Sequence, residues 1–171
     1  MPSFRVGLVT YDDGARLRVP LTQSADELQK GLDMVAAAGG GDYEEGVDKG
    51  LYLAQRPEQL GWSRRAHRLA VVVGDAPPHE GDVAPLLKRL VAASEDELFD
   101  HPFVVHTVST DPAGVPHFGS IARAGRGAHV TLVRTDLLAQ ELVLLTFGAR
   151  HRALAEAWLE DVERLEKLLG R

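Results

Sequence analysis

The run RLAVVV, Arg68 to Val73, holds five apolar residues in succession and then closes on Gly74, Asp75 and a pair of prolines. A strand with one wet face alternates apolar and polar side chains, whereas one covered on both faces does not. The run therefore reads as a central strand of a layered chain. FVVHTVST, Phe103 to Thr110, reads as the next strand and AHVTLV as a third. Between them lie helical patterns: Asp82 to about Leu98, with Leu86, Leu87, Leu90 and Val91 facing inward, and a short helix around Ser120 to Ala124. Such alternation calls for an α/β fold with a mostly parallel sheet and right-handed crossovers.

The first part of the chain adds an antiparallel edge. FRVGLVTY and LRVPL are two extended runs separated by Asp12, Asp13 and Gly14, a turn-forming cluster, so they read as a hairpin. Pro20 cannot donate to a ladder on both sides, which sends the second strand to the edge of the sheet. Ser24 and Glu27 form a capping box that opens a helix with Leu28, Leu32, Val35 and Ala36 at helical spacing, ended by Gly39, Gly40 and Gly41. Asp42 with Glu45 suggests a second capped helix, with Tyr43, Val47, Leu51 and Ala54 as its buried stripe. From Leu137 the pattern is helical to the last residue, broken near Gly148, with Leu154, Trp158, Val162, Leu165 and Leu169 on one face.

The fold class expected is thus a three-layer, doubly wound, mostly parallel Rossmann-like sheet with an antiparallel edge hairpin and an added C-terminal helix. At 171 residues there is room for one core: an α/β domain over residues 1–135, and a helical extension over 136–171 that packs on it or serves assembly. Nineteen Lys and Arg against twenty-five Asp and Glu give a formal net charge of -6, whose field repels a polyphosphate, so no nucleic-acid partner is expected. With no Cys there are no disulfides, thiolate metal sites or cysteine nucleophiles. No apolar run is long enough to span a bilayer and MPSFRVGLVTYDD lacks a signal-peptide pattern, so the expectation is a soluble, cytoplasmic protein without membrane insertion.

In an open α/β sheet, ligands bind beyond the carboxyl ends of the strands. Asp75 stands at such an end and Asp42 follows the triple glycine. Hard cations take oxygen ligands and keep several waters, so the two carboxylates are the candidate Mg²⁺ ligands, although Asp42 is also a favoured helix cap. His79 follows the same loop as Asp75, and a histidine there is a candidate acid, base or ligand. The other histidines show no metal-ligand spacing, and there is no nucleophile elbow or P-loop. GGGD follows a helix rather than a strand, which removes the context a phosphate loop requires.

The stretches FRVGLVTYDDGARLRVPLT, AAAGGGDYEEGVDKGLYLA, RRAHRLAVVVGDAPPHEGD and FGSIARAGRGAHVTLV together resemble a von Willebrand factor A (VWA) domain over most of Phe4 to Val133. GGGD-x-x-E combined with VVGDAPPH is similar to a bacterial and protist branch of that family. The resemblance implies a metal-ion-dependent adhesion site (MIDAS) in which a DxSxS loop, a Thr and an Asp hold a divalent cation. Asp75 matches the third-loop Asp. The position of the Thr is Gly41, with Asp42 next to it, and no DxSxS occurs in the chain.

The chain begins at what resembles the family's second strand, so the first strand and its helix are missing from the middle of the sheet. Either the sheet closes up, another copy or another protein donates a strand, or the chain is a fragment of a longer gene product. The implied function is a non-catalytic protein–protein interaction module whose top loops, near Asp12, Gly41, Asp42, Tyr43, Asp75 and His79, meet another protein, with weak or absent Mg²⁺ binding. An alternative is a hydrolase or transferase using Asp75 and His79 as acid and base. A third is a self-assembling unit, a homo-oligomer completed by a strand from another chain.

Overall fold

The computed structural model describes residues 4–36, 43–112, 115–132, 134, 137–148, 152, 153, 156, 157, 160, 161 and 164. The hairpin is present as β1 (Val6–Tyr11) and β2 (Ala15–Thr22), paired antiparallel with Tyr11 opposite Ala15. Its turn is closed by Asp12, whose Oδ1 accepts the Gly14 N–H at 2.8 Å. Among the described residues β2 pairs with β1 alone, in keeping with Pro20. The second sheet is β3 (Arg68–Gly74), β4 (Phe103–Ser109) and β5 (Arg126–Thr131), all parallel, with Arg68 opposite Phe103 and Thr107 opposite His129.

Helices cover both faces, as a doubly wound sheet requires. Successive side chains of a strand point to opposite faces. Leu8 lies against Gly31 of α1 (Ala25–Asp33), whereas Tyr11, three residues on, lies against Gly50 of α2 (Val47–Gln55). A short helix, α3 (Pro57–Leu60), follows α2, and Leu60 reaches Gly7. α2, α4 (Glu80–Ser94) and α5 (Val115–Ala124) cover one face of the second sheet. There Val47, Leu51, Leu86, Leu90, Phe118 and Ile121 close on Val72, Phe103 and Val105. The opposite face carries Leu69, Val104 and His106, which border a cavity of about 380 Å³ with the end of α6 (Leu138–Phe147).

Several expectations need correction. α1 is capped by Ser24, whose Oγ accepts the Glu27 N–H, but Leu32 and Val35 are exposed. The helix instead approaches the sheet through Gly31, whose missing side chain admits Val19. The second helix opens at Val47, not Asp42, because the backbone just before it is drawn into contacts with Asp12 and Pro77. Tyr43 consequently lies outside the buried stripe and is 56% exposed. α4 ends at Ser94, leaving Leu98 exposed, and Val91 also faces out. α5 is longer than expected because Pro116 sits in its first turn, where no intrahelical N–H is required.

The largest correction concerns Arg68–Val73. Among the described residues β3 is hydrogen-bonded to β4 on one side only, and Leu69, Ala70, Val71 and Val73 are half-buried rather than enclosed. β1 likewise has β2 on one side only, so the two sheets share no ladder among the described residues. Across this seam α2 touches β1, β2 and β3. The Tyr11 hydroxyl also crosses it, donating to the Val73 carbonyl at 2.7 Å. Leu154, Trp158, Val162, Leu165 and Leu169 of the expected C-terminal stripe lie outside the described residues.

Candidate functional site

The carboxyl ends of β1, β3 and β4 converge at one end of the molecule. Thr110 N–H bonds the Gly74 carbonyl at 2.9 Å, which ties the end of β4 to the end of β3. The segment before α2 then crosses from β3 to β1: Glu45 N–H donates to Pro77 O at 2.9 Å and Gly46 N–H to Asp12 O at 2.8 Å. Glu45 and Pro78 form an isolated parallel bridge. Gly46 is a glycine for reasons of space, since a Cβ there would stand 2.7 Å from the Asp12 carbonyl. These backbone bonds set Tyr43 and Glu45 beside the loops that follow β3 and β4.

Charge gathers at this end. Burial raises the Tyr11 phenol well above its ordinary value, and the Asp75 and Glu45 carboxylates push it the same way. Partial desolvation raises the Tyr43 phenol too, reinforced by Asp111 and Asp75. Asp75 therefore acts on both tyrosines. A neutral phenol beside carboxylates is a hydrogen-bond donor, so the face presents acceptor oxygens and two donor hydroxyls, one of them already spent on Val73.

The residues singled out from the sequence separate as follows. Asp75 and Tyr43 are exposed at this end and close enough to interact. Asp12 lies at the same end, but its side chain closes the hairpin turn and meets Arg16 at 3.5 Å. His79 precedes α4 and its carbonyl accepts the Asp82 N–H at 2.9 Å, so its backbone opens that helix. Gly41 and Asp42 lie outside the described residues. Sequence reading missed Tyr11, Glu45 and Asp111. Only Asp111 carried a local signal, as the carboxylate that ends the FVVHTVST strand.

The cavity beneath β3 and β4 is lined by His67, His101 and His106 at the opposite, amino end of the strands. Another, of about 300 Å³, lies between α2 and α4 beside Tyr52 and Arg89. Neither is lined by Asp75 or His79. Among the described residues no three His, Asp or Glu side chains are grouped to hold a metal ion. Of the two carboxylates expected to hold a divalent cation, Asp75 is exposed at the carboxyl end of β3 and Asp42 lies outside the described residues.

No protein-family model and no curated protein sequence matches the chain. Its fold is similar to that of the conserved hypothetical protein BatB from Bacteroides thetaiotaomicron, at 14% identity and a TM-score of 0.59, covering 98% of this chain and 82% of that one. It is also similar to an aerotolerance-related membrane protein from Bacteroides fragilis, at 16% identity and a TM-score of 0.56, covering 77% of this chain and 73% of that one. Among the described residues of this chain, no helix is long and apolar enough to cross a membrane.

Proposed function

We propose that this chain is a non-catalytic protein–protein interaction module of VWA type, and that its binding surface is the acidic face at the carboxyl ends of β1, β3 and β4. The observation that carries the reading is the placement of exposed Asp75 beside exposed Tyr43, with Glu45 and Asp111 close by. An open surface of carboxylates with an accessible aromatic ring suits a basic, flat protein patch. The resemblance of the loop residues to the family and the likeness of the fold to BatB support the same reading. Mg²⁺ is a weak auxiliary in this reading, held by Asp75 and Asp42 if it binds.

The test is a titration of the labelled 171-residue chain with a lysine-rich peptide, followed by NMR. The expected result is a set of saturable shifts centred on Tyr43, Asp75 and Asp111 that disappear in Asp75→Asn and weaken with salt, as exposed charge pairs do. Shifts centred elsewhere would overturn the assignment of the face. Calorimetry with Mg²⁺ or Mn²⁺ belongs beside it, because micromolar binding abolished by Asp75→Ala would replace this reading with a metal centre.

A further inference from the structure

We infer that the cavity between α2 and α4 is a binding site for one small zwitterion, an α-amino acid with an aliphatic side chain, whose carboxylate meets Arg89 and whose ammonium group meets Asp48. Neither Asp75 nor His79 lines this cavity, and the inference does not rest on the acidic face.

α2 and α4 enter the core through apolar residues. Leu51 on one helix and Leu86 and Leu90 on the other are buried. Asp48 and Tyr52 are four residues apart on α2, the spacing of one helix face, and Arg89 immediately precedes Leu90 on α4. All three border the cavity of about 300 Å³, together with Ala15, Lys49 and Leu53.

Asp48 and Arg89 thus line one cavity with opposite charges, yet they form no ion pair. Asp48 Oδ1 and Arg89 Nε are each closed off from solvent, and neither has a hydrogen-bond partner. Enclosed polar atoms in a folded protein are nearly always partnered, so two such atoms at one cavity call for an explanation. The neighbouring cations are already engaged: Lys49 Nζ donates to the Asp13 carbonyl, and Arg56 pairs with Glu58 at 3.3 Å. The Arg89 guanidinium is instead held against the Tyr52 ring, 5.1 Å from its centroid, and Arg56 stands over the same ring at 4.8 Å. A cation–π contact positions a guanidinium while leaving its terminal N–H groups for a planar acceptor.

The chemistry of the ligand follows from these walls. A simple anion is repelled by Asp48 and a simple cation by Arg89, whereas a molecule carrying both charges is attracted at each end. A carboxylate takes a guanidinium in bidentate fashion, and an ammonium group donates to a carboxylate. The volume stands at the low end of the ~300–1,000 Å³ in which small-molecule sites fall, which suits one amino acid rather than a peptide. Ala15, Leu53 and the Tyr52 ring supply apolar surface for an aliphatic side chain.

The experiment titrates the labelled 171-residue chain with L-leucine, N-acetyl-L-leucine and L-leucinamide and follows the amide shifts by NMR. L-Leucine is expected to give saturable shifts centred on Asp48, Tyr52, Leu53 and Arg89, with a Kd of about 1 mM or tighter. The acetylated compound lacks the ammonium group and the amide lacks the carboxylate, so each is expected to bind about tenfold more weakly or worse. Arg89→Gln should abolish the preference for L-leucine over the amide, and Asp48→Asn the preference over the acetylated compound. Loss of folding cannot produce that split. Absence of saturable shifts with L-leucine would overturn the proposal, as would shifts centred on another surface or equal binding of all three compounds.

Discussion

Tyr11 and Val73 are 62 residues apart in the chain, and the hydrogen bond from the Tyr11 hydroxyl to the Val73 carbonyl joins the edges of two separate sheets. The ring reaches Val73 across the face of Gly50, and its hydroxyl stops where a Cβ on Gly74 would stand 2.5 Å away. Tyr11→Phe leaves the Val73 carbonyl without this donor. The expected loss is about 1 kcal/mol of unfolding free energy by urea denaturation, the usual worth of such a bond. An unchanged midpoint and slope would show that the bond contributes nothing to joining the sheets.

The same phenol makes the chain sensitive to alkali. Burial, then Asp75 and Glu45, raise its folded value, while in the unfolded chain it ionises near 10.0. Above that pH the folded state keeps a proton that the unfolded state releases. Stability that is fully present below pH 10 is therefore lost as pH rises beyond it. Urea midpoints on either side of pH 10 should fall more steeply for the native chain than for Tyr11→Phe, and parallel slopes would contradict this account.

His106 gives the opposite limb. Burial lowers its pKa, and Nδ1 already accepts the Ala128 N–H at 2.9 Å, so the ring is held neutral in the folded chain. As pH falls below the ordinary value of 6.5, the unfolded state takes up a proton that the folded state resists, and stability falls. His106→Gln, which keeps an acceptor for Ala128, should flatten thermal stability between neutral and mildly acidic pH. His129 has a burial-lowered pKa as well, so a residual slope should remain.

Gly46→Ala tests the backbone crossing before α2. Its Cβ would meet the Asp12 carbonyl at 2.7 Å and the Asp13 carbonyl at 3.3 Å, and both are main-chain atoms that cannot swing aside. A loss of about 1–3 kcal/mol is expected, the range for overpacking a close contact. Chemical denaturation reads it directly, and a neutral result would mean that the crossing yields.

What the sequence made legible was what short-range chemistry decides. Asp12, Asp13 and Gly14 announced the hairpin, Ser24 its following helix, and the apolar runs at Arg68 and Phe103 two neighbouring parallel strands. The start of α2 was not legible, because Gly46 is held by Asp12, a residue 34 positions earlier, and no local cap signals that. Tyr43 was misplaced for the same reason. The run at Arg68 fits a strand enclosed on both sides, yet composition does not reveal that its second neighbour is absent among the described strands. At the candidate site Asp75 could be located from the strand it ends, whereas the roles of Tyr11 and Glu45 depend on which ends the topology brings together.

The lack of a shared ladder also divides the molecule mechanically. Among the described residues β1, β2 and α1 meet the rest through α2, α3, the Tyr11 bond, the Gly46 contact and the Phe4–Phe147 ring contact, rather than through a continuous run of strand pairing. Where no ladder runs through, separating the two blocks breaks side-chain packing and a few hydrogen bonds, whereas separating β3 from β4 breaks a seven-residue ladder.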